Sequence, residues 1–119
     1  MGRIFIMLCS NATMGACFDR KLFGAGLNVA TRLQLLCRGD QGFLHNYQQN
    51  ILFGPFRAVS EVGNHEPHAW GGHFPRQFRV DWDEGNLREL RDATSVFGDL
   101  GIPLAPLGNE AAYLVSSHP

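Results

Sequence analysis

The sequence predicts an α+β fold, a small and partly closed antiparallel β-barrel with flanking short helices, formed as one domain over residues 1–119. Three observations lead there. An unbroken apolar run, RIFIML, opens the chain. Two β-rich runs, GFLHNY and ILFGPFRAVSE, are joined by the short polar QQN, and QFRVDW alternates apolar with polar side chains. Composition agrees with a compact chain, because 45% hydrophobic against 18% charged residues, with nine Phe and two Trp, is richer in apolar surface than disordered segments are.

Taken in order, Arg3 to Leu8 is β-branched and aromatic without alternation, the pattern of a strand buried on both faces. It is far shorter than the roughly 20 residues of a membrane-spanning helix, and Ile6 stands where the N-myristoylation pattern has Ser or Thr. A helix is expected to start at SNAT, where Ser10, Asn11 or Thr13 can accept a bond from a first-turn N–H. Met14, Cys17, Phe18 and Leu22 follow at helical spacing, and Gly24 ends the element. Residues 25–41 read equally as a helical turn or an extended segment. The hairpin comes next, with Gly54-Pro55 marking a bulge or barrel corner because proline cannot donate to a ladder. After a long loop, Phe78, Val80 and Trp82 share the core-facing side of a strand. Leu87 and Leu90, three apart in DEGNLRELRDAT, predict a short polar helix; LGIPLAPLG predicts an extended edge or loop; and residues 109–115 predict a last short helix.

Ten basic against eleven acidic residues give a net charge of −1, which excludes a polyanion binder held by a global positive field. Any nucleic-acid contact must then come from a local patch: Arg20 with Lys21, Arg57, or Arg76 with Arg79. Cys9, Cys17 and Cys37 are odd in number and contain no C-x-x-C, which predicts reduced, mostly buried thiols in a cytoplasmic protein. Neither a P-loop nor G-x-G-x-x-G occurs, so no cofactor is expected.

The chemically densest stretch is GNHEPHAWGGHFPRQFRV, residues 63–80. His65, His68 and His73, with Glu66 as a possible fourth ligand, have a spacing that a loop can fold around zinc, and a metal-dependent enzyme is one reading; partly exposed histidines bonded to nearby backbone are another. Ser60 near His65 offers a nucleophile and base, but no G-x-S-x-G elbow or H-E-x-x-H accompanies it, so catalysis is not expected and no metal is assigned. Binding is better motivated. Trp70, His68, His73 and Phe74 beside two glycines can stack on a planar base, while Arg76, Arg79 and Arg57 reach phosphates. Trp70 also reads as a lid packed over a barrel end.

Three stretches in order, GRIFIMLCSNATMGACFDRKLFG, GFLHNYQQNILFGPFRA and AWGGHFPRQFRV, resemble the plant development and cell death (DCD) domain. They carry its G-x-I-F strand, N-x-T-M helix start, L-F-G, F-L-x-N-Y strand, A-W dipeptide and F-P-x-Q-x-R-V strand. The chain departs from the pattern at Ala25-Gly26, where L-F-G-L-P is usual, and after Trp82. The resemblance implies a PUA-like fold related to EVE and YTH domains, the latter readers of modified bases. On that comparison Phe23 and Trp70 are candidate cage walls, with Ser10 and Asn11 near the ligand edge. The expected function is a non-enzymatic module that binds RNA or a modified nucleobase near Trp70, without a membrane partner. The alternative is a protein-interaction module in stress and cell-death signalling, which needs a protein partner and no nucleic acid.

Overall fold

The computed structural model describes residues 3–26, 36–95 and 112–116. Among these residues the named elements follow in the order β1 (Arg3–Cys9), α1 (Asn11–Asp19), β2 (Leu22–Ala25), β3 (Gln41–Asn46), β4 (Ile51–Ala58), β5 (Arg76–Asp81), β6 (Arg88–Arg91) and β7 (Ala112–Ser116). A kinked 3-10 turn, Ala69–Gly72, lies in the loop before β5.

The strands form one mixed sheet in the order β2-β5-β4-β3-β1-β7, with β6 paired to β4 off this path. This corrects the expected barrel in two respects. The neighbours β1 and β3 run parallel, Ile4 opposite Gln41 through Cys9 opposite Asn46, and α1 and β2 lie in the connection between them. In addition, no ladder among the described residues joins the end strands β2 and β7, so the sheet curls without closing. Side chains bridge the curl instead. Phe5 of β1 packs edge-to-face on Phe23 of β2 at 6.1 Å and on Phe78 of β5 at 5.2 Å, and Phe23 meets Phe56 of β4 at 4.9 Å.

The unbroken apolar run of β1 has the structural reason expected of it. Phe5, Met7 and Cys9 enter the main core, while Ile6 faces a smaller cluster with Leu52 and Ala93 on the other side. Cys9 and Cys17 are buried and Cys37 is exposed, and no disulfide joins any two of the three.

Helix α1 begins at Ser10, whose N–H donates to Thr13 Oγ1 at 2.9 Å and whose carbonyl accepts from Met14 N–H at 3.0 Å. It ends earlier than the spacing predicts. Leu22 and Phe23 continue the helical period on paper but lie in β2, paired with Arg79 and Phe78, because the free edge of β5 offers a ladder there. The hairpin forms as expected, with a register shift between Gly42 and Leu44 opposite the Gly54-Pro55 step.

The two C-terminal helices are also corrected. Asp83 folds the DEGN segment into a turn, accepting from Gly85 N–H at 3.1 Å and Asn86 Nδ2 at 2.9 Å. Leu87 then packs on the core while Leu90 is 44% exposed on β6, so the two leucines never shared a face. Ala112–Ser116 pairs antiparallel with β1 rather than coiling. The undecided segment over 27–35 and the LGIPLAPLG stretch lie outside the described residues.

Candidate functional site

The loop between β4 and β5 is held by side chains of β5 that sequence alternation assigns to the outer face. Gln77, 1% exposed, forms an isolated bridge with Gly63, the two exchanging N–H···O bonds of 2.8 Å each way. Its side-chain amide then repeats that pattern with Glu66: Oε1 accepts from Glu66 N–H at 2.8 Å and Nε2 donates to Glu66 O at 3.0 Å. Four bonds from one residue therefore hang the loop on the sheet. The F-P-x-Q-x-R-V match contained this glutamine, but a polar residue on an outward position looked solvated until the loop covered it.

Glu66 is the second anchor. Its carboxylate bonds to Arg20 at the end of α1 and accepts from Arg79 of β5 at 2.6 Å, and these two guanidinium groups hold its pKa below the usual carboxylate range. Arg79 also donates to Arg20 O at 3.0 Å, and its N–H bonds to Ser60 Oγ at 2.8 Å. Arg79, an expected phosphate ligand, is thus engaged inside the fold. Arg76 and Arg57 are exposed, and neither forms an ion pair within 4.0 Å among the described residues.

Trp70 sits at the far side of this loop with left-handed backbone, φ 51°, followed by Gly71 and Gly72 at 64° and 81°. A tryptophan in that region costs about 1–2 kcal/mol of backbone strain, which its packing must offset. The indole N–H donates to Thr13 O of α1 at 3.2 Å, the ring meets Phe74 edge-to-face at 5.6 Å, and it lies over Gly24 of β2. A Cβ at Gly24 would stand 2.7 Å from the ring, so only glycine admits this approach. The indole is half-buried, and His68 and His73, which flank Trp70 in the sequence, are both exposed.

The expected pair of cage walls is not brought together. Phe23 is 1% exposed and its ring lies among Phe5, Phe56 and Phe78. Successive strand residues point to opposite faces, so β2 separates the Phe23 ring from the Trp70 ring that covers Gly24. Ser10 and Asn11 are occupied locally: Ser10 Oγ lies 3.2 Å from Thr13 Oγ1, and Asn11 Oδ1 accepts from Asn46 Nδ2 at 3.0 Å and Gln49 Nε2 at 2.6 Å. Among the described residues no three His, Cys, Asp or Glu side chains converge. His65 instead bonds to Glu61 O at 2.9 Å, and Glu66 belongs to the arginines.

Comparison with known proteins follows this geometry. Solved structures similar to the fold include the YTH domain of mmi1 in complex with RNA, TM-score 0.65 at 16% identity, covering 94% of this chain and 73% of that one. The Pho92 YTH domain in complex with m6A gives 0.62 at 16% identity over 94% and 76%. The YTH domain of the Zygosaccharomyces rouxii MRB1 protein, in complex with N6-methyladenosine RNA, gives 0.58 at 17% identity over 78% and 64%. These likenesses are of fold. In sequence, the DCD domain-containing protein NRP-A of Glycine max is 33% identical over 84 residues, a stretch that is 64% of this chain and 23% of that protein. The profile of the Development and cell death domain matches residues 2–91, which contain α1, the Trp70 loop and the Gln77 clamp, and the chain therefore belongs to that family.

Proposed function

We propose that the chain is a non-enzymatic module that binds RNA or a modified nucleobase on the surface made by residues 63–76. The observation that carries this reading is Trp70: a half-exposed indole held by Thr13, Gly24 and Phe74 on a loop that Gln77 and Glu66 fix in advance. A stacking side chain that is already ordered loses little freedom when a base arrives. The fold's likeness to YTH domains solved with RNA or m6A supports the same reading. In it Phe74, His68 and His73 border the base and Arg76 receives a phosphate, whereas Arg79 positions the loop through Glu66.

The test is a titration with a short oligoribonucleotide, with and without N6-methyladenosine, followed by tryptophan fluorescence and NMR. Binding is expected to weaken roughly 5- to 150-fold in Trp70→Ala, the equivalent of 1–3 kcal/mol for one stacked base, and Arg76→Ala is expected to flatten the salt dependence. Unchanged spectra with both oligonucleotides would remove the proposal. A second reading, a protein-interaction module, draws on the near-neutral charge and on the commitment of Arg20 and Arg79 to Glu66. It predicts a partner that competes at Trp70 with little dependence on salt.

A further inference from the structure

A groove lies between α1, β4 and β6. Met14 and Phe18 of the helix, Ile51 and Phe53 of β4, and Leu87 form its walls, with Gln49, Glu89 and Arg91 at its rim, around about 460 Å³. That volume is in the range of small-molecule sites. Phe18 and Phe53 meet edge-to-face at 5.4 Å and 81°, which makes a rigid aromatic corner. Glu89 and Arg91, two apart in β6, project to the same face, and the antiparallel register sets Glu89 opposite Phe53 and Arg91 opposite Ile51. Each charged side chain therefore stands next to an apolar wall.

Their charges have no assigned work in the fold. Arg20, Lys21, Arg38 and Arg79 each have a carboxylate partner, but neither Glu89 nor Arg91 has an ion pair or side-chain hydrogen bond among the described residues. Gln49 donates through Nε2 to Asn11 at 2.6 Å, and its Oε1 takes no bond from a described residue. We infer that this groove is a nucleotide subsite, separate from Trp70, which takes a base with an exocyclic amino group. The base packs on Phe18 and Phe53, Glu89 and Gln49 Oε1 accept from the amino group, and Arg91 takes the phosphate. A carboxylate acceptor beside Phe53 and a guanidinium fork beside Ile51 offer partners of the right chemistry for the base and the phosphate of such a nucleotide. The inference rests on the RNA-binding reading above and extends it to a second contact along a strand.

The test follows the backbone amides of Met14, Phe18, Leu87, Glu89 and Arg91 by NMR as CMP, GMP, AMP or UMP is added. The three amino-bearing nucleotides are expected to shift these amides and to bind at least fivefold more tightly than UMP, whose base lacks the amino group. Glu89→Leu, which removes the acceptor at that position and leaves only Gln49 Oε1, should cut that preference at least twofold, and Arg91→Ala should weaken nucleotides at least fivefold while leaving the matching nucleosides unaffected. Amides that stay still with all four nucleotides, or a preference left unchanged by Glu89→Leu, would overturn the inference. Should the oligoribonucleotide still perturb Trp70 in that case, the proposed function stands without the second subsite; silence at both places removes both.

Discussion

The loop of residues 63–76 and the β6 groove present similar side chains, yet the fold treats them in opposite ways. In the loop, Glu66 is shared by Arg20 and Arg79, and Gln77 uses both ends of its amide. In the groove, Glu89 and Arg91 are exposed and unpaired among the described residues. Charge content alone therefore does not mark a ligand site. A charge satisfied within the fold holds a loop, and a charge left over is available to a partner.

The comparison can be broken most severely at the core that supports both regions. Phe78, fully buried against Phe5 and Phe23, is expected to cost about 3–5 kcal/mol when replaced by Ala, measured by urea unfolding; a loss below 1 kcal/mol would mean that the curled sheet is not held by these rings. Gln77→Ala is next. It leaves the Glu66 N–H and C=O without their sheet partner, so a loss of about 2–4 kcal/mol is expected, with hydrogen exchange speeding up at Glu66 and Ala69 but not in β6. Equal acceleration in both places would show that the loop is not separately clamped.

Acid should separate the elements further. Burial holds the His45 pKa below the ordinary histidine value, so the unfolded chain takes up the proton more readily than the folded one, and stability falls as pH drops below about 6.5. Glu66, its pKa lowered by Arg20 and Arg79, stabilises above the ordinary carboxylate range, and that contribution is lost at lower pH, as the solution approaches and passes its folded value. Melting temperature against pH should thus decline in two stages, with His45→Gln removing the first and Glu66→Gln reducing the second, which Asp81 shares because the Trp82 N–H and Lys21 lower its pKa as well; a single stage unaffected by His45→Gln would contradict the assignment. The smallest effect is reserved for β6. Glu89→Gln and Arg91→Ala should each change stability by less than about 0.5 kcal/mol in thermal or urea unfolding, since neither side chain has a partner to lose. A larger loss from either would assign it to the fold rather than to a ligand.

How much of this was legible depended on the range of the signal. The continuous run of β1, the Ser10 helix start, the hairpin around QQN and the Phe78/Val80 alternation are each set by a few neighbours, and all are present. Leu22 and Phe23 were read into the helix, and Leu87 and Leu90 into another, because short apolar spacings fit either period until a sheet edge competes for them. Trp70 was singled out from the residues of the 63–80 stretch, but its partners Thr13 and Gly24 lie far back in the chain. Nothing local distinguished Arg79, which is paired, from Arg76, which is not.

By itself, then, the sequence determined membership of the Development and cell death domain family, the first strand and the helix start after it, the hairpin around QQN, and the identity of the loop that carries Trp70. Only the tertiary structure decided that β1 and β3 run parallel, that the sheet stays open, that Phe23 serves the core, that Gln77 and Glu66 are clamps, and that Glu89 and Arg91 border a groove. The division has one physical cause. Backbone period and capping act over a few residues and leave their mark in the local pattern, whereas burial and charge pairing depend on which distant segment arrives opposite, and folding alone settles that.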